Sequence, residues 1–311
     1  MTGAGHVRRS ALYAKYFKEN GFEVHLRGEL LISWLIPECM DTFHSIGMIH
    51  QHEVFDLAIL DTYDYSLQKT ATLSIQSRFV LQIADNSTPL VPYLPVLWLE
   101  PTAPASSISA KNTVLGFGLD YFPIRKLHLR EQSSRPANKV LITTGATSDE
   151  KILDSLIQAS QESDFEGFTF NLLSPRLPTG ILPENWIWSE TGRELEVLAK
   201  VCDTVITAAG TSLWDFLANG FPVATFPLVA NQNTNYDFAV TNDLAIPLYE
   251  TNPNLDEIKE SLYELLLMPE RRLNLVDNSL RKLDFEGPRR FSNLLLSRIK
   301  KAALQSRRGV T

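Results

Sequence analysis

Cysteine is almost absent from this chain. Its 311 residues include 2 cysteines, Cys39 and Cys202, too few for a disulfide framework and too far apart for a Cys-x-x-Cys redox pair. Both read as reduced thiols of a cytoplasmic protein. A basic excess is missing as well. The formal net charge is −7 and the pI about 5.5, which excludes an overall attraction to nucleic acid or anionic membrane. No stretch approaches the ~18 apolar residues of a membrane span. The longest run, Leu30 to Ile36, is interrupted by Ser33 and stopped by Pro37, and no charged-then-apolar leader opens the sequence. A soluble chain without stable membrane insertion is the expectation.

Several catalytic signatures are also missing. There is no Gly-Lys-Ser/Thr phosphate loop, no Gly-x-Gly-x-x-Gly and no Gly-x-Ser-x-Gly, which argues against kinase, dehydrogenase and α/β-hydrolase chemistry. His50-x-His52 lacks further ligands at metal-binding spacing, so no metal site is expected.

What is present is a pattern of alternating strands and helices. With 44% hydrophobic and 21% charged residues, the chain can bury the cores of two domains. Short apolar runs at Phe55–Leu60, Phe79–Ile83, Val96–Leu99, Lys139–Thr143, Phe168–Leu172, Thr204–Thr207 and Val223–Phe226 read as buried parallel strands. Helical periodicity separates them, notably over Tyr65–Gln76, Asp149–Gln161, Arg193–Val201, Asn231–Thr241 and Leu255–Leu267. The aperiodic polar segment His128–Asn138 is the best linker. The division expected is a first α/β domain over 1–130, a second over 136–285 and a C-terminal amphipathic helix with a basic tail over 286–311. Near the start, Gly3–His6 reads as a turn followed at once by a helix carrying Val7, Ala11, Ala14 and Phe17 on one face. Such a turn normally follows a strand, so either the first strand has been lost or the true start lies upstream.

Parallel α/β sheets place ligands at the carboxyl ends of their strands. There Gly3–His6, Asp61–Tyr63, Asp85–Asn86, Thr144–Asp149, Ala209–Trp214 and Ala230–Asn235 fall. His6 sits at a helix N-terminus, where the positive end of the dipole favours neutral imidazole, the form a general base needs. A plain helix cap is the alternative. The stretch Val205–Pro222 reads as strand, small-residue turn, short helix and glycine stop. Its first amides suit a phosphate. Asp215, one turn into that helix, can accept hydrogen bonds from a ribose diol or simply favour the helix dipole. Asn231 and Gln232 offer amides to a sugar, or act as caps.

Gly3-Ala4-Gly5-His6-Val7-Arg8-Arg9 resembles the Gly-x-Gly-His-Val-x-Arg opening of the UDP-sugar hydrolases of pseudaminic acid biosynthesis. These act on UDP-2,4-diacetamido-2,4,6-trideoxy-β-L-altropyranose. The resemblance continues through Asp61-Thr62-Tyr63, Leu115-Gly116-x-Gly118-Leu119-x-Tyr121, Ala208 to Asp215, Asn231-Gln232, and Gly287 with Arg290. The chain departs from that pattern at Thr62, where a histidine is usual, at Thr211, where a second glycine is usual, and at Asp215, in place of glutamate. The resemblance implies the GT-B fold: two Rossmann-like parallel-sheet domains, with the C-terminal helix packing back toward the first. It also implies His6 as the catalytic base, with Tyr63 near the reacting sugar. Gly3, Gly5, Arg9, Asp61, Gly145, Gly210, Thr211, Ser212, Leu213, Asp215, Asn231 and Gln232 would contact substrate. Gly210–Leu213 would hold the diphosphate and Asp215 the ribose.

The chemistry is coherent without the resemblance. A nucleoside diphosphate leaves as a weak base, with a pKa of about 6 by analogy with phosphomonoesters. Breaking a sugar C1–O bond then needs one base and no acid partner, unlike a glycosidase. Amides at a helix start can stabilise the departing charge, so no metal cofactor is required. The expected activity is inverting hydrolysis of a UDP-activated amino or deoxy sugar by a cytoplasmic monomer. Glycosyl transfer on the same fold, or non-catalytic nucleotide-sugar binding, are the alternatives.

Overall fold

The computed structural model describes residues 4–28, 36–50, 52–62, 73–85, 88, 90–102, 113–127, 138–145, 149–191, 194–249 and 252–308. Gly3, Tyr63, most of the His128–Asn138 linker and the first part of the expected Tyr65–Gln76 helix lie outside these residues. The chain divides into two compact units, one of Met1–Ile124 with Phe285–Thr311, the other of Arg125–Asp284.

The first unit opens with the helix Ala4–Glu19, so Gly5 and His6 lie in its first turn and not in a turn before it. Val7, Ala11 and Ala14 pack against Cys39 of the helix Ile36–Thr42 and Phe43 just past its end, with Val24, Leu26 and Ile46 around them. Beside that face, Ala4–Glu19 carries Tyr13 and Phe17, which meet Phe291 edge-on at 4.7 and 6.2 Å between ring centroids. Phe291 belongs to the final helix, Gly287–Arg308. That helix is therefore part of the first unit, as the resemblance implies.

All strand pairs of this unit are parallel. β1 (His25–Arg27) pairs with β2 (Ser45–Gly47). β3 (Phe55–Leu60), β4 (Ser77–Ala84), β5 (Val96–Trp98) and β6 (Val114–Phe117) form a four-stranded sheet in that order. The alternation of Phe22–Leu26 suggests a strand that overlaps β1. Nothing in the sequence marks β2 and β6, which are short and only partly buried.

Two stretches singled out by the resemblance come together in this unit. A Cβ on Gly116 would stand 2.6 Å from the Tyr121 ring, and one on Gly287 would stand 2.2 Å from the Phe122 carbonyl oxygen. Arg290 donates to the Asp120 carbonyl at 3.2 Å, and Tyr13 donates its hydroxyl to the Tyr121 carbonyl at 2.7 Å. Glycine is required at both positions because ring and backbone occupy the space a side chain would fill.

The second unit is a six-stranded parallel sheet of β7 (Lys139–Thr143), β8 (Thr169–Ser174), β9 (Trp186–Glu190), β10 (Thr204–Ala208), β11 (Val223–Phe226) and β12 (Ile246–Pro247). Its order is β12-β11-β10-β7-β8-β9, the doubly wound arrangement whose winding reverses between β7 and β10. β7, β10 and β11 are buried almost throughout, as apolar runs covered on both faces must be. Their core includes Ile142, Leu156, Phe170, Ile206, Phe226, Leu262 and Leu275. The helix Pro269–Lys282, with proline in its first turn, was not anticipated.

Candidate active site

In the first unit the polar groups meet where β3 ends. The first turn of Ala4–Glu19 brings His6 to Asp61, the residue following β3, with Nδ1 to Oδ1 at 2.6 Å. At that distance from a carboxylate, Nδ1 carries the proton, and Nε2 is the basic nitrogen. One helical turn on, Arg9 forks onto the same carboxylate, Nε donating to Oδ2 at 2.7 Å and Nη2 to Oδ1. Nη2 also lies 2.8 Å from His6 Nδ1. With the proton already on Nδ1, this is proximity and not a second bond to it. Ser10 donates to Asp61 Oδ2 at 3.3 Å. Arg9 Nη1 reaches Asp85 Oδ2, past the end of β4, at 3.7 Å.

His6 and Arg9 are buried. Burial alone would push the Asp61 carboxyl up. The Arg9 charge, its hydrogen bonds and the His6 bond outweigh that and hold it at about 2. Asp61 is thus ionised at neutral pH and oriented on two sides.

The resemblance implies substrate contacts for Arg9 and Asp61, but each spends its polar atoms on the other and on His6, Ser10 or Asp85. The reason is proximity within one helical turn, which directs His6 and Arg9 onto one carboxylate. Asp61 also anchors the His6 ring.

In the second unit the expected anion-binding turn lies at the point where the sheet winding reverses. β7 and β10 are neighbours with Thr143 opposite Thr207, so the turns after them are adjacent. Gly145 follows β7 at φ 74°, the left-handed region that favours glycine, and its N–H donates to Thr143 Oγ1 at 3.2 Å. After β10, Gly210 caps the helix Thr211–Ala218 with extended backbone, and no acidic residue stands in the first turn.

The Gly210 N–H donates to the Ala208 carbonyl at 2.8 Å and the Leu213 N–H to the Gly210 carbonyl at 3.1 Å. Of the expected grip on diphosphate, Gly210 and Leu213 therefore drop out as donors, and Leu213 is wholly buried. Thr211 and Ser212 supply the amides at the helix start. Gln232 closes one side: its Oε1 accepts from Leu228 N–H at 2.8 Å, and a Cβ on Gly210 would stand 3.4 Å from its Nε2. Asn231 stands beside it in the short turn Ala230–Gln232, its Oδ1 buried without a hydrogen-bond donor. Asn235, not singled out from sequence, donates to the Ala209 carbonyl at 3.1 Å.

Asp215 needs the largest correction. Its carboxylate is buried, and it accepts from the Arg125 N–H and Nε, each at 2.8 Å, with Nη2 at 2.7 Å. Asn219, one turn on, accepts from the Leu127 N–H at 2.9 Å and donates to the Arg125 carbonyl at 2.7 Å. Asp215 faces the chain at the start of this unit and is not turned toward the helix start. Its position five residues past Gly210 sets it on the far side of the helix. An Asp-x-x-x-Asn spacing opposite an arginine was the signal available for this clamp.

No protein-family model and no curated protein sequence matches the chain. Solved structures do. The glycotransferase of kitacinnamycin is 13% identical, with a TM-score of 0.62 over 93% of this chain and 96% of that one. MurG of Acinetobacter baumannii is 13% identical, with a TM-score of 0.57 over 95% and 97%. The spinosyn rhamnosyltransferase SpnG is 13% identical, with a TM-score of 0.62 over 94% and 98%. Together with parallel sheets in both units, these likenesses show that the chain has the GT-B fold, built of two Rossmann-like domains.

Proposed function

We propose that this chain transfers a glycosyl group from a nucleotide sugar, with His6 as the general base. The observation that carries the reading is the Asp61-held imidazole, which leaves Nε2 as a basic nitrogen at the carboxyl end of a parallel sheet. In the step proposed, an acceptor hydroxyl attacks the anomeric carbon and its proton passes to Nε2. The C1–O bond breaks with its electron pair going to the diphosphate, and the product is inverted. Thr211 and Ser212 amides in the second unit stabilise the charge that develops on the diphosphate. Asn231 and Gln232 would contact the sugar or the phosphate. The base is worth roughly 10²–10⁴ in rate, and a leaving group this weakly basic needs no metal.

Fold likeness to transferases supports this reading over hydrolysis. Hydrolysis is the second reading, with water in place of the acceptor, and it is favoured by the Gly-x-Gly-His-Val-x-Arg opening, which resembles UDP-sugar hydrolases. We place both reactions in the cytoplasm and in a monomer.

Incubating the protein with a panel of UDP- and TDP-sugars separates the two. Nucleoside diphosphate released only when an acceptor is added supports transfer, and steady release in water alone supports hydrolysis. If His6→Asn turns over donor at the wild-type rate, His6 is not the base and both readings fail.

A further inference from the structure

We infer that Arg9 is a positioning residue that balances the charge of Asp61 and thereby sets the pH range in which His6 works as a base. The inference rests on His6 being that base.

A carboxylate alone beside an imidazole both orients it and favours its protonated form, which is useless as a base at neutral pH. Here the orienting carboxylate does not act alone. The Arg9 fork takes both Asp61 oxygens while His6 Nδ1 takes one of them. With neutral imidazole the trio carries no net charge, and a proton on Nε2 would make it cationic. Arg9 thus opposes protonation of His6 while keeping Asp61 in line with Nδ1. A shorter or less planar cation cannot do both, because the guanidinium fork matches the carboxylate in two parallel bonds.

Among the described residues, the neighbouring Ser10, Tyr13 and Asp85 do not reverse the Arg9 effect on His6, although Asp85 adds a second carboxylate to Arg9. On the same helix, Ser10 contributes a neutral hydroxyl to Asp61. Tyr13 is fully buried, which pushes its phenol well above the ordinary value, so it stays neutral. From the end of β4, Asp85 stands 3.7 Å from Arg9 Nη1, farther than Asp61. Arg9 itself is buried, with Nε and Nη2 on Asp61 and Nη1 toward Asp85. A role in gripping a substrate phosphate would require those contacts to be given up.

The test compares pH profiles of kcat/KM for wild type, Arg9→Gln and Arg9→Lys. Loss of the cation in Arg9→Gln is expected to move the acidic limb to higher pH by about one unit or more, with the alkaline plateau reduced about tenfold or less. Arg9→Lys keeps the charge without the fork, so its limb stays near that of wild type while the plateau falls. A limb that does not move in Arg9→Gln overturns the inference. So does a limb displaced to higher pH in Arg9→Lys, which remains decisive if the glutamine variant does not fold.

The same displacement is read without turnover from NMR titration of the His6 ring in the unliganded protein, assigned with His6→Asn. If the ring titration moves as stated but His6→Asn leaves turnover intact, the function proposed above fails and takes with it the role of His6 as base, leaving Arg9 only as the cation that opposes protonation of the ring. If His6→Asn abolishes turnover and neither limb nor ring titration moves, only the inference fails.

Discussion

Each unit contains a buried aspartate forked by an arginine, and the two forks do different work. In the first unit Arg9 and Asp61 come from a helix start and a strand end, and the carboxylate has an oxygen left for His6. In the second, Arg125 and Asp215 come from the first residue of the unit and the middle of a helix. There the carboxylate goes to a backbone N–H. The third partner decides the role. An imidazole makes the first fork part of the proton-transfer device proposed above, and a peptide N–H makes the second a clamp. The starts of the two helices differ in the same way. Side chains of the first turn build the one, which suits the proton transfer proposed above. Backbone amides of small residues build the other, which suits holding an anion.

Breaking the clamp should give the largest effect on stability. Asp215→Ala leaves the Arg125 guanidinium without its counter-charge and is expected to cost about 3–5 kcal/mol, read as a fall in denaturant midpoint at unchanged slope. If Asp215 instead held a ribose, the variant would keep its stability and lose donor affinity.

Gly287→Ala drives a methyl into the Phe122 carbonyl and should cost roughly 1–3 kcal/mol by overpacking, again read from denaturant unfolding. An alanine tolerated there would mean that the final helix can shift on its own unit.

The Asp61 fork should show itself in acid. Its carboxyl lies near 2, below the ordinary 3.8. A depressed native value means the stabilisation is whole above about pH 4 and is lost as pH falls toward about 2, on the order of 2 kcal/mol. The stability gap between wild type and Asp61→Asn should therefore close over that window and stay constant from about pH 5 to 7.

Smallest in stability, and sharpest for the comparison, is Gly210→Ala. Its backbone is extended and its Cβ would meet only Gln232 Nε2 at an ordinary contact distance, so stability should change by about 0.5 kcal/mol or less. Calorimetry should nonetheless show weaker binding of nucleoside diphosphate, because the methyl sits beside the Thr211 and Ser212 amides.

Buried strands were the most legible part of the fold. Lys139–Thr143 and Val223–Phe226 match their elements residue for residue, because a strand covered on both faces has to be apolar throughout. Half-buried β2 and β6 carried no such pressure and escaped notice. In the site, His6 and the Gly210 turn were legible because few chemistries explain a histidine in a glycine-rich helix start or a run of small residues after a strand. The partners of Arg9, Asp61 and Asp215 were not. A carboxylate's partner can lie 52 or 90 residues away, and no local spacing encodes that.

Periodicity and composition by themselves determined the parallel α/β architecture and the strand ends where polar residues collect. Side-chain period and burial are local properties that survive in the order of residues. Only the tertiary structure decided which aspartate orients the histidine and which one fastens the chain. That choice depends on which groups folding brings within about 3 Å, the range of a charged hydrogen bond.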